Sequence, residues 1–253
     1  MIRVDILSPV GGKVGGIENV IKLWTKNLSQ PDYVVRVIHM SLGTKYLDGY
    51  EYAYAFCDKE DEDFNEKLKR FVKNYAGFIN EYGAPDVCIA TNWPVMCVVA
   101  ETVRRILKSD YKIISWVHSS IAEYKKAGLG GIDEMLCADA HLCISRNNER
   151  HLLEYVERTK VYYVGNPVIM QPFIEKTHGE KQLCYVGRLQ EIKRVDIILE
   201  ALYRAHNKWN LRIIGDGESA QDLKEITRYL KLQDRVEYTG WKENPWEYCR
   251  DAC

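Results

Sequence analysis

Tyr185-Val186-Gly187-Arg188-Leu189-Gln190-Glu191-Ile192-Lys193 is the stretch on which the reading of this chain turns. It closes an apolar run, Leu183 to Val186, with the length and composition of a buried strand. It leads into Val195, Ile198, Leu199 and Leu202, which recur at the period of an amphipathic helix. A strand that turns straight into a helix is the repeating step of an α/β sheet, and such turns open at the carboxyl edge, where these folds bind ligands. One glycine and two cations occupy the turn. Gly187 lets the backbone come close to a ligand. Arg188 can fork two hydrogen bonds to phosphate oxygens, and Lys193 adds a compact point charge. The following helix offers free N–H groups that carry about half a positive charge. An Arg or a Lys alone in a loop is an ordinary solvated charge. Strand, glycine, Arg and pre-helix Lys in register predict a site for a dianion such as a nucleotide diphosphate.

Working outward from that turn, the chain keeps the same rhythm. Thr177 to Lys181 is a polar spacer, and Gly165-Asn166-Pro167-Val168 is a breaker cluster. This places a domain boundary near residue 167, giving domains at 1–167 and 168–253. Downstream, Leu211 to Ile214 reads as a strand that ends in Gly215-Asp216-Gly217-Glu218, a tight turn at the ligand edge. Leu223 to Leu230 reads as a helix, Val236 to Trp241 as a strand and its loop, and Trp246 to Cys253 as a helix.

Upstream, strands are expected at Ile2 to Leu7, Val34 to Met40, Tyr52 to Phe56, Asp86 to Ala90, Lys112 to Val117, Ala138 to Ile144 and Val161 to Val164. A glycine-rich loop, Ser8 to Gly16, joins the first strand to a helix carrying Ile17, Val20, Ile21, Trp24 and Leu28 on one face. Its glycines fall as G-G-x-x-G-G, not as the dinucleotide fingerprint G-x-G-x-x-G, which argues against a dehydrogenase. Asp58 to Asp63 is an acidic loop or helix start. Leu68, Phe71, Val72, Tyr75 and Phe78 form a helical face among Lys67, Lys69, Arg70 and Lys73. Such a helix is one buried and one solvated face, with contact with an anionic membrane as the alternative. Thr91-Asn92-Trp93-Pro94 is a turn, and Val95 to Leu107 a helix. His118 falls at the end of its strand, again at the carboxyl edge, where it is either a satisfied structural residue or a ligand contact. Ser145 suits a helix N-cap, with Asn148 or Glu149 placed for a reciprocal bond.

Composition sets the class. The 253 residues are 46% apolar and 28% charged, with a net charge of −1. That describes a globular chain able to bury a core, and it lacks the basic balance expected of a nucleic-acid binder. Eight cysteines, at 57, 88, 97, 137, 143, 184, 249 and 253, include no C-x-x-C pair, which argues against zinc and thioredoxin-type chemistry. Several sit in apolar runs as small hydrophobes. Reduced thiols without a secretory leader point to the cytoplasm, and no apolar run approaches the roughly 18 residues of a membrane span.

V-G-R-L-x-x-x-K resembles the donor-phosphate motif of retaining glycosyltransferases of family 4, which have the GT-B fold. Other segments match that family in order. Gly15, Gly16 and Glu18 resemble its first glycine loop, W-V-H-S-S its sugar-contacting histidine segment, and the Asn166-Pro167 passage its interdomain hinge. I-I-G-D-G and Y-T-G-W resemble its second-domain turn and its base-bordering stretch. The resemblance implies an α/β GT-B architecture of two Rossmann-like domains facing a cleft, an acceptor-side domain followed by a nucleotide-sugar-binding one. It implies hexose transfer with retention from a nucleotide-diphosphate sugar, UDP-hexose foremost, to a glycan or lipid-linked glycan acceptor, without metal or other cofactor. His118, Arg188 and Lys193 become catalytic; Gly15, Gly16, Gly187, Gly215, Asp216, Gly217 and Trp241 join Arg188 and Lys193 as donor-binding; Glu18 and Glu123 become acceptor-side residues. Within the family, the sequence looks most like bacterial lipopolysaccharide-core hexosyltransferases, which implies a cytoplasmic enzyme with peripheral contact at the inner face of the membrane as the alternative. Two features depart from the pattern. Arg194 stands where a small residue is usual, and the E-x7-E motif is missing, so the second domain is expected to be incomplete and the chain inactive alone. The rivals are a nucleotide-sugar epimerase, a non-catalytic nucleotide-sugar-binding fragment and, less well matched, an oxidoreductase.

Overall fold

The computed structural model describes residues 1–9, 15–28, 31–41, 52–56, 62–170, 181–205 and 209–252. Residues 10–14 of the glycine loop, Cys57, the first part of the acidic run (58–61), 177–180 of the spacer and Cys253 lie outside them. The chain divides into two compact units, Met1–Val168 and Ile169–Cys253.

In the first unit, strands β1 (Ile2–Ser8), β2 (Tyr33–His39), β3 (Ala53–Ala55), β4 (Val87–Thr91), β5 (Lys112–Val117), β6 (Ala140–Cys143) and β7 (Val161–Tyr163) alternate with helices. The helices are α1 (Gly16–Leu28), α2 (Phe64–Tyr82), α3 (Val95–Ile106), α4 (Ile121–Lys126), α5 (Ile132–Met135) and α6 (Arg146–Leu152). The strands form one sheet in the order β3-β2-β1-β4-β5-β6-β7. Every pairing is parallel, because each return passes through a crossover rather than a hairpin. Both faces are covered. Ile6 lies in a core with Val20 and Ile21 of α1, and Leu7, its neighbour, in a core with Phe71 and Tyr75 of α2 and Met96 of α3. This is why the alternation of Ile2 to Asp5 gives way to the apolar Ile6-Leu7, and why Asp5 is buried rather than turned to water. The strand order reverses between β1 and β4, and α/β folds open a binding crevice at such a switch point.

One charged pair lies inside this core. Asp5 of β1 and Arg36 of β2 are register partners, and both are buried. Arg36 forks onto the carboxylate, Nε to Oδ1 at 2.6 Å and Nη2 to Oδ2 at 2.8 Å, and Tyr75 Oη of α2 donates to Oδ2 at 2.9 Å. The rest of the guanidinium donates to the carbonyls of Tyr82 and Gly83, at 3.1 and 3.0 Å, where α2 ends. Burial pushes the Asp5 carboxyl above the usual carboxylate range, while Arg36 and Tyr75 pull it back. Every polar group of the pair is thus met, as buried charge requires.

The basic residues of α2 are partly neutralised locally. Arg70 pairs with Glu62 at 2.8 Å and Lys69 with Glu66 at 2.6 Å. Asp63, the last residue of the acidic run, caps the helix by accepting from the N–H groups of Asn65 and Glu66. Among the described residues no helix is long and apolar enough to cross a membrane.

In the second unit, β8 (Gln182–Val186), β9 (Asn210–Ile214) and β10 (Val236–Gly240) form a parallel sheet ordered β10-β9-β8. Helices α7 (Val195–Arg204) and α8 (Ala220–Tyr229) cover it. Val195, Leu199 and Leu202 of α7, Leu211 and Ile213 of β9 and Leu223 of α8 make the core. Two expectations need correction. The segment from Trp246 is not an α-helix but a 3-10 turn, Pro245–Cys249. Arg212 Nη1 takes the carbonyl of Tyr248 at 2.7 Å and the Asp251 carboxylate at 2.6 Å, so that carbonyl is turned toward the sheet. At α6, Ser145 does accept from Asn148 N–H at 3.2 Å. The reciprocal bond is replaced, because Asn148 donates to Ser119 O and Glu149 is held between Arg146 and Arg158.

Candidate functional site

The three strand ends of the second unit are laced together. Gly187 N–H donates to Ile214 O at 3.1 Å, Leu189 N–H to Asp216 O at 2.9 Å, and Ser219 N–H back to Leu189 O at 3.0 Å. Gly215 N–H reaches across to Gly240 O at 2.9 Å, which adds the end of β10. Close packing of backbone explains the glycines. A Cβ on Gly215, whose φ is +148°, would stand 1.9 Å from Gly187 O, and one on Gly217 2.2 Å from Leu189 O. Asp216 accepts from Gly217 N–H at 2.8 Å and so fixes the turn with its own carboxylate. Gly187, Arg188, Gly215, Asp216 and Gly217 are therefore brought into one edge of one unit.

Arg188 is exposed, and its carbonyl accepts from Tyr185 Oη at 3.1 Å. Lys193, also exposed, does not lie at the start of α7. It ends a 3-10 turn, Glu191–Lys193, that precedes the helix. Arg194 then takes a left-handed conformation, φ +50° and ψ +43°. A small residue suits that backbone better than arginine does. The charge of Arg194 is turned away onto Asp196, at 2.8 Å, so it is not a third cation for a ligand. Trp241 follows β10 with 60% of its surface exposed.

In the first unit, Gly15 and Gly16 lead into α1, and Gly15 O accepts from Asn19 N–H at 3.1 Å. Glu18 is half-buried in the first turn of α1, and Glu123 is exposed on α4. His118 follows β5. Trp116 links it to α1, with ring centroids 4.4 Å from His118 on one side and 4.4 Å from Trp24 on the other. Both ring nitrogens of His118 are buried with no hydrogen-bond partner, as are Thr91 Oγ1 on the neighbouring strand and Trp116 Nε1. Among the described residues this is the reverse of a satisfied structural histidine. Burial lowers its pKa to about 4, so at neutral pH it is an uncharged ring that can donate from one nitrogen and accept at the other.

Two positioning residues escaped the sequence reading. Asn92 has a left-handed φ of +68°, and its Oδ1 accepts from Tyr124 Oη at 2.7 Å. Asn148 Nδ2 holds Ser119 O at 2.8 Å, just beyond His118. The T-N-W-P turn signalled the first, and no local signal marks the second. Among the described residues no group of three or more His, Cys, Asp or Glu could hold a metal ion.

A second buried histidine, His141 on β6, meets Ser115 Oγ at 2.7 Å through Nδ1, while its Nε2 has no partner. Its pKa is also lowered to about 4, by burial first and then by Lys160. The unfolded chain protonates both rings near pH 6.5, the native chain only near 4. Between those values the unfolded state binds more protons, so native stability is full above about pH 6.5 and is lost as the pH falls toward 4. At 1.36 kcal/mol per pKa unit, the loss is on the order of 2–3 kcal/mol per ring. Urea unfolding at pH 7 and pH 5 checks this: equal midpoints would show that neither ring is held neutral.

Comparison with known proteins extends this geometry. The model of the family described as glycosyl transferases group 1 matches residues 170–252, nearly the whole second unit. The lipopolysaccharide 1,6-galactosyltransferase of Escherichia coli K12 is 26% identical over 249 residues, covering 96% of this chain and 67% of that protein. Among solved structures, the lipopolysaccharide outer core galactosyltransferase WaaB in its apo form superposes with a TM-score of 0.79 at 23% identity, over 98% of this chain and 71% of that one. Anabaena Alr3699/HepE in complex with UDP-glucose superposes with a TM-score of 0.73 at 15% identity, over 100% of this chain and 72% of that one.

Proposed function

We propose that this chain, a glycosyltransferase of GT-B fold whose second unit matches the group 1 family, moves a hexose from UDP-hexose to a lipopolysaccharide-core glycan with retention at the anomeric carbon, as a member of family 4. One observation carries the reading. The backbone-laced turns of the second unit hold Gly215 and Gly217 where no side chain fits, with Gly187 O packed against Gly215, and the turn after β8 carries exposed Arg188 and Lys193. Bare backbone with two cations suits a diphosphate. The relatives supply the rest of the argument: one is named a lipopolysaccharide galactosyltransferase, and one structural neighbour holds UDP-glucose.

In this reading the bond from the anomeric carbon to the diphosphate breaks, a new bond forms to an acceptor hydroxyl oxygen, and the hydroxyl proton leaves with the UDP. Arg188 and Lys193 neutralise the charge that gathers on the diphosphate, which is electrostatic stabilisation of a leaving group. Neutral His118, whose two ring nitrogens are covered in this structure, would hydrogen-bond sugar hydroxyls without adding charge once donor binding uncovers them. Gly15 and Gly16 let the donor approach, Trp241 borders the base, and Glu18 and Glu123 face the acceptor. The cytoplasm is the working place this reading implies, with peripheral contact at the inner face of the membrane as the alternative.

Arg188→Ala is expected to weaken UDP binding by roughly 1.5–3 kcal/mol, the scale of a hydrogen bond to a charged group. Calorimetric titration with UDP measures it, and an unchanged dissociation constant would remove Arg188 from the site. Incubation with UDP-hexose and a lipopolysaccharide-core acceptor, with NMR of the product, decides the reaction. An α-linked product from an α-linked donor supports retention, a sugar altered without acceptor supports an epimerase, and binding without turnover supports a nucleotide-sugar-binding fragment.

A further inference from the structure

A cavity of about 390 Å³ lies on the first unit between edge strand β3 and helix α2, lined by Tyr54, Phe56, Lys73, Gly77, Glu81 and Tyr82 among others. One wall is aromatic. The Tyr54 ring lies 4.7 Å from that of Phe78 and 5.2 Å from that of Tyr82, and Phe78 lies 4.9 Å from Tyr82. Arg36 covers Phe78 from inside the fold, 4.9 Å above its ring. Tyr82 remains 44% exposed. The rim is polar: Lys73, Asn74 and Glu81 line it, and the Glu81 carboxylate beside the Tyr82 hydroxyl raises that hydroxyl's pKa above its ordinary value. One cation beside one carboxylate leaves the rim without net charge, so it complements neither an anion nor a cation.

Gly77 is the informative residue. It sits inside α2, where glycine costs about 1 kcal/mol relative to alanine, and packing does not explain it. Its φ is not positive, and a Cβ there would meet nothing within 4 Å. What the missing side chain leaves open is the cavity it lines. The edge strand adds backbone. In a parallel ladder alternate residues bond the neighbour. Val37 N–H takes Tyr52 O, and Phe56 N–H takes His39 O, so Ala55, which lines the cavity, turns its own N–H and C=O toward the open side.

We propose that this aromatic cleft is a saccharide-binding site for a neutral hexose unit, separate from the donor turns of the second unit. A pyranose offers apolar C–H faces, which suit the tyrosine rings, and a girdle of hydroxyls, which both donate and accept. Lys73 and Asn74 can donate, Glu81 and Ala55 O can accept, and the volume falls within the range of small-molecule sites, about 300–1,000 Å³. The site does not depend on the transfer reading, since it needs only the first unit.

The test is saturation-transfer difference NMR on the full chain with maltotriose, lactose and gentiobiose as probes. Saturation is expected to reach the ring protons of at least one of them. Gly77→Gln is expected to fill the cavity and weaken that binding about tenfold or more while its thermal midpoint stays level or rises, because the substitution improves helix propensity. Lys73→Ala, at an exposed position, repeats the test without touching the helix floor and is expected to weaken binding as well. Saturating UDP is expected to leave the signal in place. Absence of transfer to all three sugars, binding by both variants equal to that of the wild type, or displacement by UDP would each overturn the site, the last by assigning the sugar to the donor turns.

Discussion

Gly215→Ala is expected to destabilise the second unit by roughly 3 kcal/mol or more and to abolish its UDP binding. Two costs combine. The backbone of Gly215 lies at φ +148°, a conformation that L side chains rarely adopt, and its new methyl would be built 1.9 Å from Gly187 O. That oxygen is backbone, so it moves only if the Gly187-Arg188 peptide moves with it. Either the two turns separate and the β8–β9 ladder frays, or the Gly187-Arg188 peptide rotates and carries Arg188 out of place. Gly217→Ala repeats the insult against Leu189 O, 2.2 Å from its Cβ. Urea unfolding with UDP titration measures both effects. Gly77→Ala sets the baseline, since an alanine there meets nothing within 4 Å. Near-wild-type stability and UDP affinity in Gly215→Ala would mean that the turns are not packed as described.

The other large effect lies in the first unit. Asp5→Ala is expected to cost about 3–5 kcal/mol, the price of leaving a buried partner charge uncompensated. Arg36 would keep its bonds to the Tyr82 and Gly83 carbonyls but lose both carboxylate oxygens. Arg36→Met alone is expected to be comparably harmful, since it strands a carboxylate that burial already pushes upward. The double variant Asp5→Leu with Arg36→Met is expected to recover much of the loss, because it removes both desolvated charges together. Recovery stays partial, since the carbonyls at the end of α2 lose their donor. A double-mutant cycle by urea unfolding, with Asp5→Leu and Arg36→Met as its single variants, reads this directly. Additive single costs would show that the pair is not coupled.

Much of this architecture is visible in the chain itself. Lys112–Val117 carries Ile113, Ile114, Trp116 and Val117 and runs into the polar turn His118-Ser119-Ser120, and it forms β5 over those same residues. The period from Val195 to Leu202 is that of α7, whose buried residues are Val195, Leu199 and Leu202. Local pattern suffices there because propensity and burial agree. The hidden parts depend on what lies across space. I-R-V-D-I reads as an alternation with Asp5 toward water, yet both faces of β1 are covered and Asp5 is buried. Its partner, Arg36, is 31 residues away and is found only through the β1–β2 register. In the sequence Arg194 shows only as a departure, standing where a small residue is usual. Its left-handed backbone and its pairing with Asp196 are tertiary facts. The aromatic cleft joins Tyr54 to Tyr82 across a chain segment that carries no motif, and Gly77 announces itself only as a glycine in a helix that does not need one.

The order β3-β2-β1-β4-β5-β6-β7 also governs how the chain reaches this state. Every pairing among the described strands of that sheet is parallel, so none of these ladders zips from a tight turn. The central contact, Val4 with Val87, must wait for a span of dozens of residues to close on itself, and the entropy of that closure precedes any reward. Folding of the first unit is therefore slow for its size, and while it proceeds, the apolar segments Ile6-Leu7, Val37-Ile38 and Ile113-Ile114 stand open to one another on different molecules. Dilution, low temperature and chaperones are the conditions under which this protein is best made.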